Sequence, residues 1–365
     1  MRPFNLADIL RPHILNITPY SSARDEYTGK EGVFLDANEN PFGPVLSGNN
    51  ALTTFNRYPD PYQSAIKERL APIKQVRPTQ IFLGNGSDEP IDLLVRATCR
   101  PGVDTMLTMP PTYGMYEVSA AINDIALTKV PLTPDFQVDT PAVLAAIAAK
   151  KPKIIWFCSP NNPSGNLLSQ EAIRTVLETA ADCLVVVDEA YIDFAEAGTS
   201  WVSRLDQYPN LVVLQTFSKA WGLAALRLGM CFASEEIIRV LNKIKPPYNI
   251  AAPTQQLALD ALQLEPAKDR MVAKILHERT DLHEKLLTLP IVRRIYPSDA
   301  NFLLVRFDEA KAVFDYLIDH QVIVRDRSRV ILCDDCLRIT VGTAEENNRL
   351  IDTLKQYRVS MATTF

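Results

Sequence analysis

Six short apolar runs, over 81–83, 104–108, 153–158, 183–187, 211–215 and 228–233, are each closed by a polar turn. Runs of this length without polar alternation are read as strands buried on both faces. Between several of them lie helical stretches, such as Ser169 to Ala180 with Ser169 as an N-cap, and others near 63–70 and after Gly86. Strands alternating with crossover helices predict an α/β fold whose mostly parallel sheet is sandwiched by helices. After Lys245 the pattern changes to long helices over 254–264 and 267–289. A strand over 302–307, a helix over 310–320, strands near 322–325 and 337–341, and a helix from Ala344 follow, which predicts a small α+β domain. Three parts are expected: an irregular arm over 1–45 that belongs with the small domain and touches a second subunit, a large domain over 46–245, and the small domain over 246–365.

Apolar residues make up 47% of the 365-residue chain, enough for two cores. The 38 basic and 43 acidic residues are scattered, with a net charge of -5, so nucleic acid is not an expected partner. Proline, asparagine and charge interrupt the first 20 residues, which excludes a signal-peptide core, and runs such as 142–149 are too short to span a bilayer. No membrane partner and a cytoplasmic location are expected. Six dispersed cysteines fit buried small hydrophobes in a reducing compartment. Cys333 and Cys336 form a lone CxxC with no second half, and the four histidines share no helix face, so no metal site is expected.

Four segments carry the chemistry. TFSKAWGLAALRLG over 216–229 follows an apolar strand and sets Lys219 beside Ser218, with Arg227 eight residues on. A lysine desolvated at a strand end tends toward the neutral amine that forms Schiff bases, and Ser218 with Arg227 can hold a phosphate. GNGSDE over 84–89 opens a helix after a strand, so its glycines, helix-start amides and the Ser87 hydroxyl suit an anion; Glu89 stands where a dinucleotide fingerprint needs a small residue. SPNNPSG over 159–165 puts Asn162 at the carboxyl edge of the sheet. VVVDEAY over 185–191 puts Asp188 at a strand end with Tyr191 three residues on. Such an aspartate serves Mg²⁺ in nucleotide sites or pairs with a pyridinium nitrogen, and the chain has no G-x-x-x-x-G-K-[ST] loop to support the first use.

Together with LDANENPFGP over 35–44, RYPDP over 57–61 and CLRITVG over 336–342, these segments resemble the fold-type I pyridoxal-phosphate aminotransferases, from the arm nearly to the carboxyl terminus. Within that group the chain is similar to the histidinol-phosphate aminotransferase family. The resemblance implies pyridoxal 5′-phosphate as cofactor, with Lys219 carrying it as a Schiff base and moving the proton between the substrate α-carbon and C4′. Asp188 would keep the pyridine nitrogen protonated, Tyr191 and Asn162 would bond the phenolic oxygen, and Tyr113 would stack on the ring. Ser87, Asp88 (through its amide), Ser218 and Arg227 would bind the cofactor phosphate, with Tyr58 arriving from the second subunit of a homodimer. Arg338 would clamp the glutamate α-carboxylate, Arg325 would help hold the phosphate of histidinol phosphate, and Tyr20 and Asn38 would line the substrate pocket. Arg327 and Arg329 are expected to be solvated strand ends. Trp221 and Ser164 stand where the family more often has phenylalanine and threonine. The implied reaction converts L-histidinol phosphate and 2-oxoglutarate to imidazole acetol phosphate and L-glutamate. An aromatic aminotransferase or a threonine-phosphate decarboxylase of the same fold shares most of these motifs. A non-catalytic sensor fused to a DNA-binding module is opposed by the lysine and by the lack of a preceding helix-turn-helix.

Overall fold

The structure, a computed structural model, describes residues 4–19, 37–44 and 55–362, with side chains up to residue 357. All six apolar runs form strands: β1 (Ile81–Asn85), β2 (Thr105–Thr108), β4 (Ile154–Cys158), β5 (Leu184–Asp188), β6 (Leu211–Thr216) and β7 (Leu228–Ala233). A seventh, β3 (Ala126–Lys129), pairs with β2 at the sheet edge. The order is β1-β7-β6-β5-β4-β2-β3, and β7 alone runs against its neighbours.

Period-two alternation sorts the strand side chains into two buried layers. Leu83, Leu107, Phe157, Val187 and Phe232 belong to one, and Phe82, Met106, Trp156, Val186 and Cys231 to the other. Helices cover both layers. The helix Gln170–Thr179 starts as expected, with the Ser169 side chain accepting from the Ala172 amide.

The second sheet is antiparallel, in the order β10 (Arg325–Asp326), β11 (Cys336–Thr340), β9 (Phe302–Phe307), β8 (Val292–Ile295). One of its faces, with Val305, Leu337 and Ile339, packs under the helices Glu265–Leu287, Ala310–Asp319 and Ala344–Ala362. The other turns toward the large sheet, where Leu304 and Cys336 join its first layer. The strand expected near 322–325 is only the two-residue β10.

Two further segments, where described, pack against the large sheet. In the arm, Leu6, Ile9 and Leu10 are buried in the second layer of the large sheet, and the Lys243 ammonium caps the carbonyls of Ile14 and Leu15 at 2.9 and 3.0 Å. The helix Ala252–Leu262 packs on the helix Ser64–Lys74, burying Ala258 and Leu262 in the first layer. No helix among the described residues is long and apolar enough to cross a membrane.

Candidate active site

Parallel strands deliver their following loops to one edge, and in open α/β sheets that edge is where ligands bind. Here β1, β4, β5 and β6 end at Asn85, Cys158, Asp188 and Thr216. The turns beyond them bring Ser87, Asp88, Asn162, Tyr191, Ser218 and Lys219 to one cleft, together with Tyr113 and Arg227.

At its floor is Asp188, 3% exposed. The Tyr116 hydroxyl donates to its Oδ2 at 2.7 Å and the Ala190 amide to its Oδ1 at 3.1 Å. Burial raises its pKa to about 6 against the pull of those two bonds. Tyr116 is held in turn by stacking on Trp156, with ring centroids 4.7 Å apart. Above this floor, the Lys219 ammonium lies 5.5 Å from the centre of the Tyr191 ring. Part of Lys219 remains open to the cleft, yet desolvation, followed by the charge of Arg338, pulls its pKa below the ordinary lysine value while Asp188 opposes them. Burial pushes the Tyr191 phenol up to about 12.

One end of the cleft is an anion cradle built from backbone. The helix Asp88–Thr98 points its first amides into it. Gly86 has a φ of +70°, and a Cβ there would lie 2.6 Å from the Arg227 guanidinium; its amide donates to the Arg227 carbonyl at 2.6 Å. Gly229 packs against the same turn, since its Cβ would lie 2.4 Å from the Gly86 carbonyl carbon. The Asp88 carboxylate is already engaged, accepting from the Tyr113 hydroxyl at 3.1 Å and standing 3.6 Å from Arg227. Its amide is what remains for an anion.

The small sheet meets the cleft at Asn162. Arg338 donates to Asn162 Oδ1 at 2.5 Å and lies over the Phe302 ring at 5.2 Å. Arg325 pairs with Arg338 in the β10–β11 register and is exposed. Arg327 is not the solvated strand end expected of it: its side chain is half-buried and its Nε is enclosed. Arg329 is exposed.

Four described residues expected at the site, Arg325, Arg338, Tyr58 and Asn38, are not among those lining this cleft. Tyr58 is 51% exposed and stacks on Tyr248 at 4.4 Å. Asn38 is exposed, with a φ of 54°. Tyr20 lies outside the described residues. Sequence reasoning missed Tyr116, whose signal was its place three residues after Tyr113 on the inner face of a helix. It also missed Glu189, which is 1% exposed and accepts from Ser200 Oγ, the Trp201 amide and Gln215 Nε2 at 2.7, 2.6 and 2.8 Å. That network ties the loop after β5 to β6.

A partly desolvated amine, a buried carboxylate and an anion cradle therefore share one cleft, with the Arg338 guanidinium beside it at Asn162. Residues 30–354 match the family model described as aminotransferase class I and II. The histidinol-phosphate aminotransferase of Cytophaga hutchinsonii is 59% identical, over 97% of this chain and 99% of that protein. That of Christiangramia forsetii is 49% identical over 98% and 99%. Among solved structures, the histidinol-phosphate aminotransferase of Sinorhizobium meliloti in complex with pyridoxal-5′-phosphate superposes with a TM-score of 0.75 and 25% identity, covering 88% of this chain and 90% of that one. The chain belongs to the class I and II aminotransferases.

Proposed function

We propose that this chain transfers an amino group between L-histidinol phosphate and 2-oxoglutarate, giving imidazole acetol phosphate and L-glutamate in histidine biosynthesis, with pyridoxal 5′-phosphate as cofactor. The observation that carries the reading is the joint placement of Lys219, Asp188 and the glycine-lined cradle in one cleft, in a chain whose near relatives share that name. The residues fit the cofactor. Asp188 accepts two hydrogen bonds and enters no ion pair among the described residues, so a protonated pyridine nitrogen would meet an unmatched charge. The Ser87 and Asp88 amides with Ser218 and Arg227 suit its phosphate, and the lowered pKa of Lys219 suits its carbonyl carbon.

When bound, the cofactor supplies a cationic ring that can store the electron pair left as the substrate Cα loses its proton. The chain's residues do the rest. Asp188 holds the ring nitrogen in its protonated form. Lys219 Nζ takes the proton from the substrate Cα and returns one at C4′. Asn162 Oδ1 is committed to Arg338, which leaves its Nδ2 to donate to the phenolic oxygen beside the Tyr191 hydroxyl. Tyr113 presents an aromatic face, and its bond to Asp88 fixes that ring. Arg338 receives the α-carboxylate of glutamate, and Arg325 meets the phosphate of histidinol phosphate. Tyr20 and Asn38 are assigned to the substrate pocket because they lie in segments that the family uses to line it.

The working unit is a homodimer in the cytoplasm in which Tyr58 serves the partner's site. What supports this is its exposure and its place outside the cleft of its own chain. The reaction is tested by the absorbance of the holoenzyme on adding histidinol phosphate. Loss of the Schiff-base band with formation of pyridoxamine phosphate is expected, and amino return from glutamate restores the band. Release of carbon dioxide from threonine phosphate, with no turnover of histidinol phosphate, would replace this reading with the decarboxylase.

A further inference from the structure

Three arginines share one face of the small sheet. Antiparallel pairing sets Arg325 opposite Arg338, and the Arg327 amide donates to the Cys336 carbonyl at 2.9 Å, which extends the same register. Side chains two apart on a strand, and those directly opposite across a ladder, project to the same side. Arg327 therefore stands on the face that carries Arg338 to Asn162. Its side chain is half-buried, and its Nε has no hydrogen-bond partner among the described residues. Burial, then the charges of Arg338 and Arg325, pull its pKa below the ordinary guanidinium value. Asn162, which Arg338 reaches from this face, lines the cleft, so the cluster borders it. None of the three guanidiniums enters an ion pair among the described residues. Like charges gathered in a half-buried wall are costly until an anion joins them.

The size of that anion follows from the count of donors. One guanidinium fork satisfies a carboxylate, which carries one charge on two oxygens. A phosphate monoester carries nearly two charges on three oxygens and needs a second and third donor group. Arg338 commits one nitrogen to Asn162, and Arg325 is exposed, which leaves Arg327 as the guanidinium that burial holds in place. We propose that Arg327 is a specificity-determining residue of the substrate site, a third guanidinium that selects amines bearing a phosphate monoester away from the reacting nitrogen. This deepens the histidinol phosphate reading and rests on it for the substrate's identity.

The test uses the holoenzyme, so that the cofactor's own phosphate fills the cradle. Inorganic phosphate is titrated by calorimetry, and kcat/KM is measured on histidinol phosphate and on histidinol. Arg327→Gln is expected to lose about 30-fold on histidinol phosphate against about threefold on histidinol, and to bind inorganic phosphate about tenfold more weakly. Arg327→Lys, which keeps the charge and the stem, recovers part of the phosphate affinity and serves the same comparison if Arg327→Gln does not fold. Equal losses on the two amines, or unchanged phosphate affinity in a variant with an intact cofactor band, would overturn the assignment. A parent enzyme that binds phosphate through Arg327 yet does not turn over histidinol phosphate would support the anion site and overturn the substrate reading instead.

Discussion

A carboxylate buried as deeply as Asp188 works against the fold of the cofactor-free chain once it is ionised. Its folded pKa of about 6 lies above the ordinary 3.8, so the folded state binds the proton more tightly than the unfolded one. The stabilisation is complete below the unfolded value and is lost as pH rises through about 6. A difference of about two units corresponds to about 3 kcal/mol. Asp188→Asn should therefore flatten the stability of the cofactor-free protein between pH 4 and about 7, and denaturant titrations of both proteins would read the difference. Glu189, raised to about 7 by burial, titrates across an overlapping window in both and cancels in the comparison. Adding cofactor should reverse the order, because the parent then gains a cation beside the carboxylate and the variant does not. Parallel pH profiles for the two cofactor-free proteins would show that Asp188 is not the strained group.

At the scale of elements, the cradle depends on how closely two strands meet. The Cβ that Gly229 lacks would lie 2.4 and 2.5 Å from the backbone of Gly86 and 2.5 Å from the Ser87 amide nitrogen, atoms that cannot rotate away. Gly229→Ala should thus push β7 from the turn after β1, cost about 3 kcal/mol by overpacking, and weaken phosphate-dependent cofactor binding. Gly114→Ala, with nothing within 4 Å of its Cβ, is the matched control. Similar unfolding midpoints for the two variants would contradict the close approach. Elements of this kind were legible where a strand was buried at every position and mostly apolar, because burial on both faces leaves a mark on nearly every residue; β4 to β7 are of that type. The places of Lys219, Asp188 and Asn162 in the cleft were legible for the same reason, as polar residues at or just past the ends of such strands, and that of Arg227 as the residue before the antiparallel β7 starts at the same edge. The edge strands β3 and β8 were not, since their sequences, ALTK and VRRI, are partly exposed and carry no alternation. Tyr116 was hidden because its partner Asp188 lies 72 residues away. Arg327 looked like Arg329 in sequence, and only pairing opposite the buried Cys336 separates them.

At the scale of the whole molecule, the dimer proposal turns on Tyr58. Its backbone amide donates to Glu39 Oε1 at 2.7 Å, and Glu39 also pairs with Arg57 at 2.6 Å, so the segment that presents Tyr58 is anchored to the arm. Its ring is fixed on Tyr248 at 4.4 Å and remains half exposed, outside the cleft that holds Lys219 of the same chain. An aromatic held rigid and still uncovered suits contact with a second subunit. If Tyr58 serves the partner's site, Tyr58→Ala and Lys219→Ala damage different subunits' contributions to one site. In a mixed dimer one site then carries both lesions and the other carries neither. Mixing the two inactive proteins under conditions of demonstrated subunit exchange should return about a quarter of parental activity, since random pairing makes half the dimers mixed and each has one intact site of two. Recovery measured against the exchange fraction, followed by a labelled subunit, reads the prediction directly. Full exchange with no recovery would place Tyr58 in the site of its own chain, and would require the Tyr58–Tyr248 stack to open toward Lys219.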